Sequence, residues 1–260
     1  MSTDAASEVW KTAARRADLL DTLRDGPREK RALVSSLDVS RSTVDRAVTE
    51  LTALGLVTEA DGRVRSTVAG DLVASLHRDA AAGLDELLSL SAYLDGLDEC
   101  LRPSPCFFGA TDVVTQEAGV RAPAERLIET FLDADRCRLV RGVIRPAFSA
   151  DVRERMLDGS LAVDATLCRD SVAFLRSYHG SDLAQVLDMD HLTVREYPDS
   201  LHSGLYLFET DGRASVSLTV HDETDDVVRA LLETERPEAV AWAERTLRTV
   251  RERSSPVESV

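Results

Sequence analysis

Between Leu37 and Val57 the chain reads LDVSRSTVDRAVTELTALGLV. This stretch constrains the fold most, because it carries its own start, buried face and stop. Ser40 stands as a helix N-cap, where its hydroxyl can accept from the N–H of Ser42 or Thr43, a contact worth about 1 kcal/mol. Val44, Ala47, Val48, Leu51 and Leu54 recur at helical spacing and form one apolar stripe. Gly55 occupies the position after the helix where left-handed geometry is needed, which glycine adopts at least cost. Leu56, Val57 and Thr58 then begin a strand, Asp61-Gly62 is a favoured two-residue hairpin turn, and residues 63–66 return. Upstream, residues 7–24 predict one amphipathic helix with Trp10, Ala14, Ala17, Leu20 and Leu23 inward, ended by Asp25-Gly26-Pro27. Residues 28–37 predict a second, with Leu33, Val34 and Leu37 inward, and Asp38-Val39 a short turn.

Helix, helix, short turn, helix and two-stranded hairpin is the winged helix-turn-helix arrangement. The capping Ser40, Thr43-Val44 and the run Leu51-x-x-Leu54-Gly55-Leu56-Val57 resemble the winged-helix domains of archaeal transcription regulators over residues 17–68. The resemblance implies binding to double-stranded promoter DNA. The third helix of such a fold enters the major groove by its N-terminal residues. Those left outward by the stripe are Arg41, Ser42, Thr43, Asp45 and Arg46. Arg41 or Arg46 suits a bidentate contact with guanine, and Ser40, Ser42 and Thr43 suit phosphate at a helix N-terminus. Arg63 and Arg65 on the wing would meet the DNA backbone or minor groove. Arg28, Lys30 and Arg31 open the second helix, where phosphate contacts are usual. A winged helix used only for protein contacts is the alternative.

The charge fits this reading only in an unusual solvent. The 260 residues hold 46 Asp and Glu against 31 Lys and Arg, a net charge of −15, and lysine occurs only at Lys11 and Lys30. In molar salt the Debye length shrinks to about 3 Å, so self-repulsion costs little and an acidic surface keeps a protein hydrated. The composition therefore reads as a halophile's; a high-GC genome would also favour arginine over lysine. The excess is uneven: residues 1–69 carry eleven basic and eleven acidic residues, and the remainder twenty and thirty-five. Such asymmetry predicts a different partner for the first segment.

No apolar stretch approaches the roughly 18 residues of a membrane span, and the start, MSTDAASEVW, does not read as a signal peptide. A cytoplasmic protein without membrane association is expected. Cys100, Cys106, Cys137 and Cys168 form no C-x-x-C and lie at no zinc spacing from histidine. They read as buried thiols, with a redox pair at Cys100 and Cys106 as the alternative. No metal and no cofactor are expected.

Residues 67–101 predict a long helix with Leu72, Leu76, Ala80, Leu84, Leu87, Leu88 and Leu94 on one face, available to pair with its copy or to pack on its own second domain. Arg102 to Asp112, RPSPCFFGATD, reads as a loop with a strand at Cys106-Phe107-Phe108. Beyond it, helices over 122–133, 149–157 (capped by Ser149) and 172–178 alternate with strands over 137–144, 161–168 and 191–197. A hairpin over 204–220 crosses Asp211-Gly212, and a helix over 238–253 closes the chain. The expected class is α/β (α+β overall): a winged helix-turn-helix domain at 1–70, a linker or dimerisation helix at 71–101, and an α/β effector-binding and dimerisation domain with a mixed sheet at 102–260.

The strand–helix–strand run over 138–168, the hairpin GLYLFETDGRASVSL and the Glu238-x-x-x-Trp242 helix are similar to the middle domain of the methanogenesis-regulator family, and more loosely to sugar-sensing TrmB-type regulators. That resemblance implies a homodimeric regulator whose second domain senses a small molecule. TrmB-type domains are related in shape to phospholipase D enzymes, which need H-x-K. None of His77, His179, His191, His202 and His221 is followed two residues later by lysine, so that catalytic reading fails, and an enzyme is not expected. Ligands of α/β sheets sit at strand carboxyl ends. Arg145, Arg169, Ser171, His202 and Gly204 fall there and could hold an anionic metabolite such as a sugar phosphate. A second domain that only dimerises or binds a protein partner is the alternative.

Overall fold

A computed structural model describes residues 3–142, 150–178, 180–221 and 227–257. The chain divides into two compact units, Met1–Leu84 and Asp85–Val260. In the first unit, helices α1 (Thr3–Arg15) and α2 (Ala17–Thr22) stand where the periodicity predicts one continuous helix. The chain breaks at Arg16, with φ −116° and ψ 19°. The break changes the phase of the buried side. Ala13, Leu19, Leu20 and Leu23 go in, whereas Trp10 is 43% exposed and Ala14 is on the surface. Trp10 instead leans on His77, ring centroids 5.5 Å apart.

Arg28 and Glu29 are a short strand, β1 (Arg28–Glu29), where a helix start is expected, because their backbone pairs antiparallel with the wing at Val64 and Arg63. Helix α3 (Lys30–Leu37) follows and ends at Asp38 in left-handed geometry, φ 50°. Helix α4 (Arg41–Ala53) then leads through Gly55, φ 71°, into β2 (Val57–Ala60) and β3 (Arg63–Ser66). The connecting Asp61 and Gly62 both have positive φ, 54° and 72°, as a type I′ turn requires. The three strands order β1-β3-β2. Leu33, Val44, Ala47, Val48, Leu51, Leu56, Val57 and Val64 form the core beneath them. Thr67 Oγ1 accepts from the Gly70 N–H at 3.0 Å and donates to the Gly55 carbonyl at 2.8 Å, seating the start of α5 (Val68–Leu94) on the end of α4.

The second unit is built on an eight-stranded mixed sheet. Its strands are β4 (Asp112–Thr115), β5 (Arg136–Arg141), β6 (Ala162–Cys168), β7 (Leu192–Tyr197), β8 (Ser203–Thr210), β9 (Arg213–His221), β10 (Val228–Thr234) and β11 (Ser255–Pro256). They order β11-β7-β6-β5-β8-β9-β10-β4; β5, β6 and β7 run parallel and the other neighbours antiparallel. One face is covered by α6 (Ala122–Asp133), α7 (Ala150–Leu157), α8 (Arg169–Tyr178) and α9 (Gly180–Leu187), and the other by α10 (Pro237–Glu252). Residues 106–108 are not a strand: Pro105–Phe107 is a 3-10 turn, because Pro105 opens it and the Phe108 N–H returns to the Pro105 carbonyl. This turns the Phe107 ring edge-on to Trp242 of α10 at 5.8 Å. Ser149, Ile144 and His179 lie outside the described residues.

Six consecutive residues of β8, from Ser203 to Phe208, are buried. Leu205 and Leu207 face α10, and Tyr206 and Phe208 face α6, where Phe131 meets both edge-on at 5.9 and 4.9 Å. Helix α6 is also tied to the sheet by a buried carboxylate. Glu233 on β10 accepts from Arg126 Nε at 2.8 Å, Thr130 at 3.0 Å and Ser217 at 3.0 Å. Every oxygen of this buried charge therefore has a partner, which is what makes its burial tolerable. All four cysteines are free thiols. Burial pushes the Cys137 thiol well up and raises Cys100 as well, the opposite of what a reactive thiolate needs. Replacing Phe131 with alanine empties the space between α6 and two aromatic rings. Urea unfolding is expected to show a loss of about 3–5 kcal/mol.

Candidate functional site

The first unit presents one face of α4. Ser40 caps the helix in extended geometry, its Oγ accepting from the Thr43 N–H at 3.2 Å. The same oxygen lies 2.9 Å from Ser42 Oγ and 2.8 Å from Thr43 Oγ1, so three exposed hydroxyls cluster at the helix N-terminus. Val44, Ala47, Val48 and Leu51 are buried, which leaves Arg41 and Arg46 outward. The Arg41 side chain is 86% exposed and only loosely paired with Asp45, at 3.9 Å. Arg63 and Arg65 flank the fully buried Val64 on β3 and point away from the core. Among the described residues, Arg31, Arg46, Arg63 and Arg65 form no ion pair and lie exposed.

Lys30, Arg28, Arg15 and Arg16 are instead engaged within this unit. Lys30 Nζ lies 2.8 Å from Glu59 and 3.4 Å from Asp45, joining the start of α3 to β2 and α4. The hydrogen bond to Glu59 raises the lysine above its ordinary pKa. Arg28 pairs with Asp25 at 3.6 Å. Arg15 and Arg16 converge on Glu50 at 3.3 and 2.9 Å, fastening α1 and the break after it to α4. Only the folded structure distinguishes these engaged cations from the free ones, since their partners lie up to 35 residues away.

In the second unit the residues expected to hold an anion are engaged internally. Arg169, the first residue of α8, pairs with Glu196 at 3.5 Å. Ser171 is buried and donates to the carbonyl of Gly142. The N–H groups of His202 and Ser203 both donate to Asp98 Oδ2 at 2.8 Å, and His202 Nδ1 lies 3.6 Å from Asp98 Oδ1. Asp98 thus fills the pair of donors an incoming anion would use. Gly204 lies inside β8, where an added Cβ would sit 2.7 Å from Thr219 Oγ1 and 2.8 Å from the Tyr206 hydroxyl. Arg145 lies outside the described residues. A hollow of about 170 Å³ opens elsewhere, between β5, β6 and α10, and Arg138, Arg248 and Arg251 line it. Those arginines were not singled out above. They come from two segments some 110 residues apart, and neither segment carries a motif.

Residues 120–253, just over half of the chain, match the family model of the methanogenesis regulatory protein FilR1, middle domain. Residues 5–86 match the HVO_A0261 N-terminal domain. A comparison with curated proteins finds no match. Among solved structures, TrmBL2, described as an archaeal chromatin protein with a novel mode of DNA binding, is 14% identical over 92% of both chains, with a TM-score of 0.41. NucT from Helicobacter pylori is 10% identical over 57% of this chain and 99% of its own, TM-score 0.41. A phospholipase D family member, Nuc from Salmonella typhimurium, is 11% identical over 58% and 99%, TM-score 0.40. These likenesses are remote.

The hydrogen bond from Arg16, reinforced by the charges of Arg16 and Arg15, holds the Glu50 carboxyl below its ordinary pKa. A carboxylate with a lowered folded-state pKa adds stability above its unfolded-state value and loses it as pH falls through the folded-state value. The difference in urea midpoint between the wild type and Glu50→Gln should therefore be largest near neutral pH. It should shrink as the solution is taken below the ordinary glutamate range.

Proposed function

The chain belongs to the family of the methanogenesis regulatory protein FilR1 middle domain, and from this membership and the outward face of α4 we propose that it is a DNA-binding transcription regulator, not an enzyme. The observation that carries the reading is the exposed set at the N-terminus of α4: two outward arginines beside three clustered hydroxyls. Placed in a major groove, Arg41 and Arg46 reach base edges, and Ser40, Ser42 and Thr43 meet phosphate. Arg63 and Arg65 on the wing and Arg31 on α3 supply the flanking backbone contacts. Lys30 ties the start of α3 to β2 and α4, Arg28 pairs locally with Asp25, and both contribute to DNA only by exchanging carboxylate partners for phosphate.

No helix among the described residues is long and apolar enough to cross a membrane, and the protein acts in the cytoplasm of a halophilic cell. In molar salt the counterion-release gain that drives ordinary DNA binding is small. Specificity then rests on base contacts and fit, and a neutral first segment suffices. Binding to a selected operator fragment is expected to change little, or to rise, as KCl is raised through the molar range. A loss of the order seen for proteins with six to ten phosphate contacts, about 10³–10⁵ between 50 and 200 mM salt, would contradict this. Arg46→Ala should weaken specific binding by about tenfold or more in a gel shift at matched salt, from about 1–3 kcal/mol per bidentate base contact. Unchanged binding to the operator would remove the base-reading role of α4.

The protein works as a homodimer through α5. Val68, Leu72, Leu76 and Leu84 are all more than half exposed on this helix, at 78, 61, 62 and 57%. Each four-residue step also turns about 40° around the helix, so they make an apolar stripe that winds around α5 over about 24 Å at 1.5 Å per residue, with Val68, Leu72 and Leu76 as immediate neighbours. A stripe of that length on a surface otherwise rich in charge suits a second copy of the same helix. In sedimentation experiments the double variant Leu72→Asp, Leu76→Asp should be monomeric where the wild type is dimeric. The α/β part of the second unit, from residue 102 onward, senses a small anionic metabolite. An anion at Arg169 or His202 would have to displace Glu196 or Asp98. A second unit that only dimerises or binds a protein partner is the competing reading, and ligand titration separates the two.

A further inference from the structure

Strand alternation places Arg136 and Arg138 on one face of β5, and the parallel register sets Arg138 opposite Asp164 and Val140 opposite Thr166 on β6. Helix α10 crosses this face and adds Glu244, Arg248 and Arg251, spaced by four and three residues and so on one side of the helix. Between them lies the hollow of about 170 Å³ lined by Arg138, Asp164, Thr166, Glu244, Arg248 and Arg251. A second hollow of about 150 Å³ shares Arg138, Asp164 and Arg251 with the first and adds Arg136, Asp190 and His191. The two form adjoining lobes with three residues in common.

The polar groups of this trough are incompletely matched. Arg138 reaches Glu209 at 3.2 Å and Glu244 at 3.4 Å with one terminal nitrogen, while its Nε–H is buried with no acceptor among the described residues. Arg251 contacts Asp164, whose other oxygen accepts from Thr193 at 2.8 Å. Arg248 is exposed and has no ion pair among the described residues. Four arginines therefore meet here on a unit whose overall balance is strongly acidic. One buried guanidinium donor of Arg138 and the exposed guanidiniums of Arg136 and Arg248, which have no ion pair among the described residues, are left for an oxyanion.

Resting on the reading of this unit as an effector domain, we infer that the trough between β5, β6 and α10 is the effector site, and that it takes a small phosphorylated polyol. Planar guanidinium forks match phosphate oxygens bidentately. The carboxylates of Asp164, Asp190 and Glu244 accept from hydroxyl groups, and Thr166 can do either. No Phe, Tyr or Trp lines either lobe among the described residues, and the ring of His191 is held by the Met156 carbonyl, 2.7 Å from its Nε2. A cavity of about 150 Å³ holds a molecule the size of benzene, so one lobe accommodates a phosphate group and the other a short polyol. A phosphate bridging Arg138 of β5 to Arg248 of α10 would hold the closing helix against the sheet.

Calorimetric titration of the full chain at fixed molar KCl tests this, with glycerol 3-phosphate, glucose 6-phosphate and inorganic phosphate as probes. At least one phosphorylated polyol should bind, more tightly than inorganic phosphate. Arg248→Gln and Arg138→Gln should each weaken it tenfold or more, and Arg169→Gln should leave it unchanged. If Arg138→Gln fails to fold, the exposed, unpaired Arg248 still decides the matter. Binding lost in Arg169→Gln but kept in Arg248→Gln would overturn the trough while leaving the effector reading intact. Inorganic phosphate binding as tightly as either polyol phosphate would overturn the polyol assignment, and no binding by any probe would overturn the inference. Operator binding measured on the same samples reports separately on the regulator reading.

Discussion

Strand β8 cannot exist without two covering layers. From Ser203 to Phe208 every residue is buried, so the strand has no face it can leave to water. Burial of its large apolar side chains contributes about 1.5–3 kcal/mol each, and that gain is available only if α6 closes one side and α10 the other. The rest of the second unit follows from this demand. Phe131 fits edge-on against Tyr206 and Phe208 on one side, while Trp242, Ala243 and Leu247 pack against Leu205 and Leu207 on the other. The parallel strands β5, β6 and β7 extend the sheet beyond the reach of the most apolar part of α10. The last turns of that helix therefore overhang polar strand residues, and the arginine-lined trough opens there.

Charge is distributed by the same logic of partners. Glu233 is buried because Arg126, Thr130 and Ser217 saturate it. In the first unit, carboxylates of Asp25, Asp45, Glu50 and Glu59 take up Arg28, Lys30, Arg15 and Arg16. What remains outward on α3, α4 and the wing is a short arginine set. In dilute solution such a set would be meagre for DNA. At a Debye length of about 3 Å additional surface cations would act only on what they touch, so few well-placed groups serve as well as many.

Much of the first unit was legible before folding because its signals are local. Ser40 caps α4, Gly55 turns left-handed after it, and Asp61-Gly62 makes the type I′ turn, each through contacts within a few residues. The hairpin of β8 and β9 across Asp211-Gly212 was legible for the same reason. Local reading failed where a distant partner decides. Residues 7–24 carry a continuous helical pattern, yet the chain breaks at Arg16, whose guanidinium reaches Glu50. Arg28 and Glu29 look like a helix start but pair with β3. Strands β4 and β10 lack a strong alternating signal and are defined by pairing with each other and with β9. Phe107 and Phe108 look like strand residues, but Pro105 bends them into a turn over Trp242.

The sequence by itself determined the elements whose energy is local: the capped helix and its stop, the two tight hairpins, the apolar strands, and the acidic, lysine-poor surface. These depend on backbone conformations and hydration that each residue carries wherever it goes. Tertiary structure alone decided which charges are free. Lys30 and Arg46 look alike in the sequence, yet one is held between Glu59 and Asp45 and the other stands open. The same holds for the second unit, where Asp98 closes the strand-end donors, while Arg248 stays unpaired beside Arg138 and Arg251, which are held by Glu209, Glu244 and Asp164. The physical reason is range. An ion pair acts over a few ångströms of space, and the chain brings groups up to about 110 residues apart within that distance only once both faces of the sheet are covered.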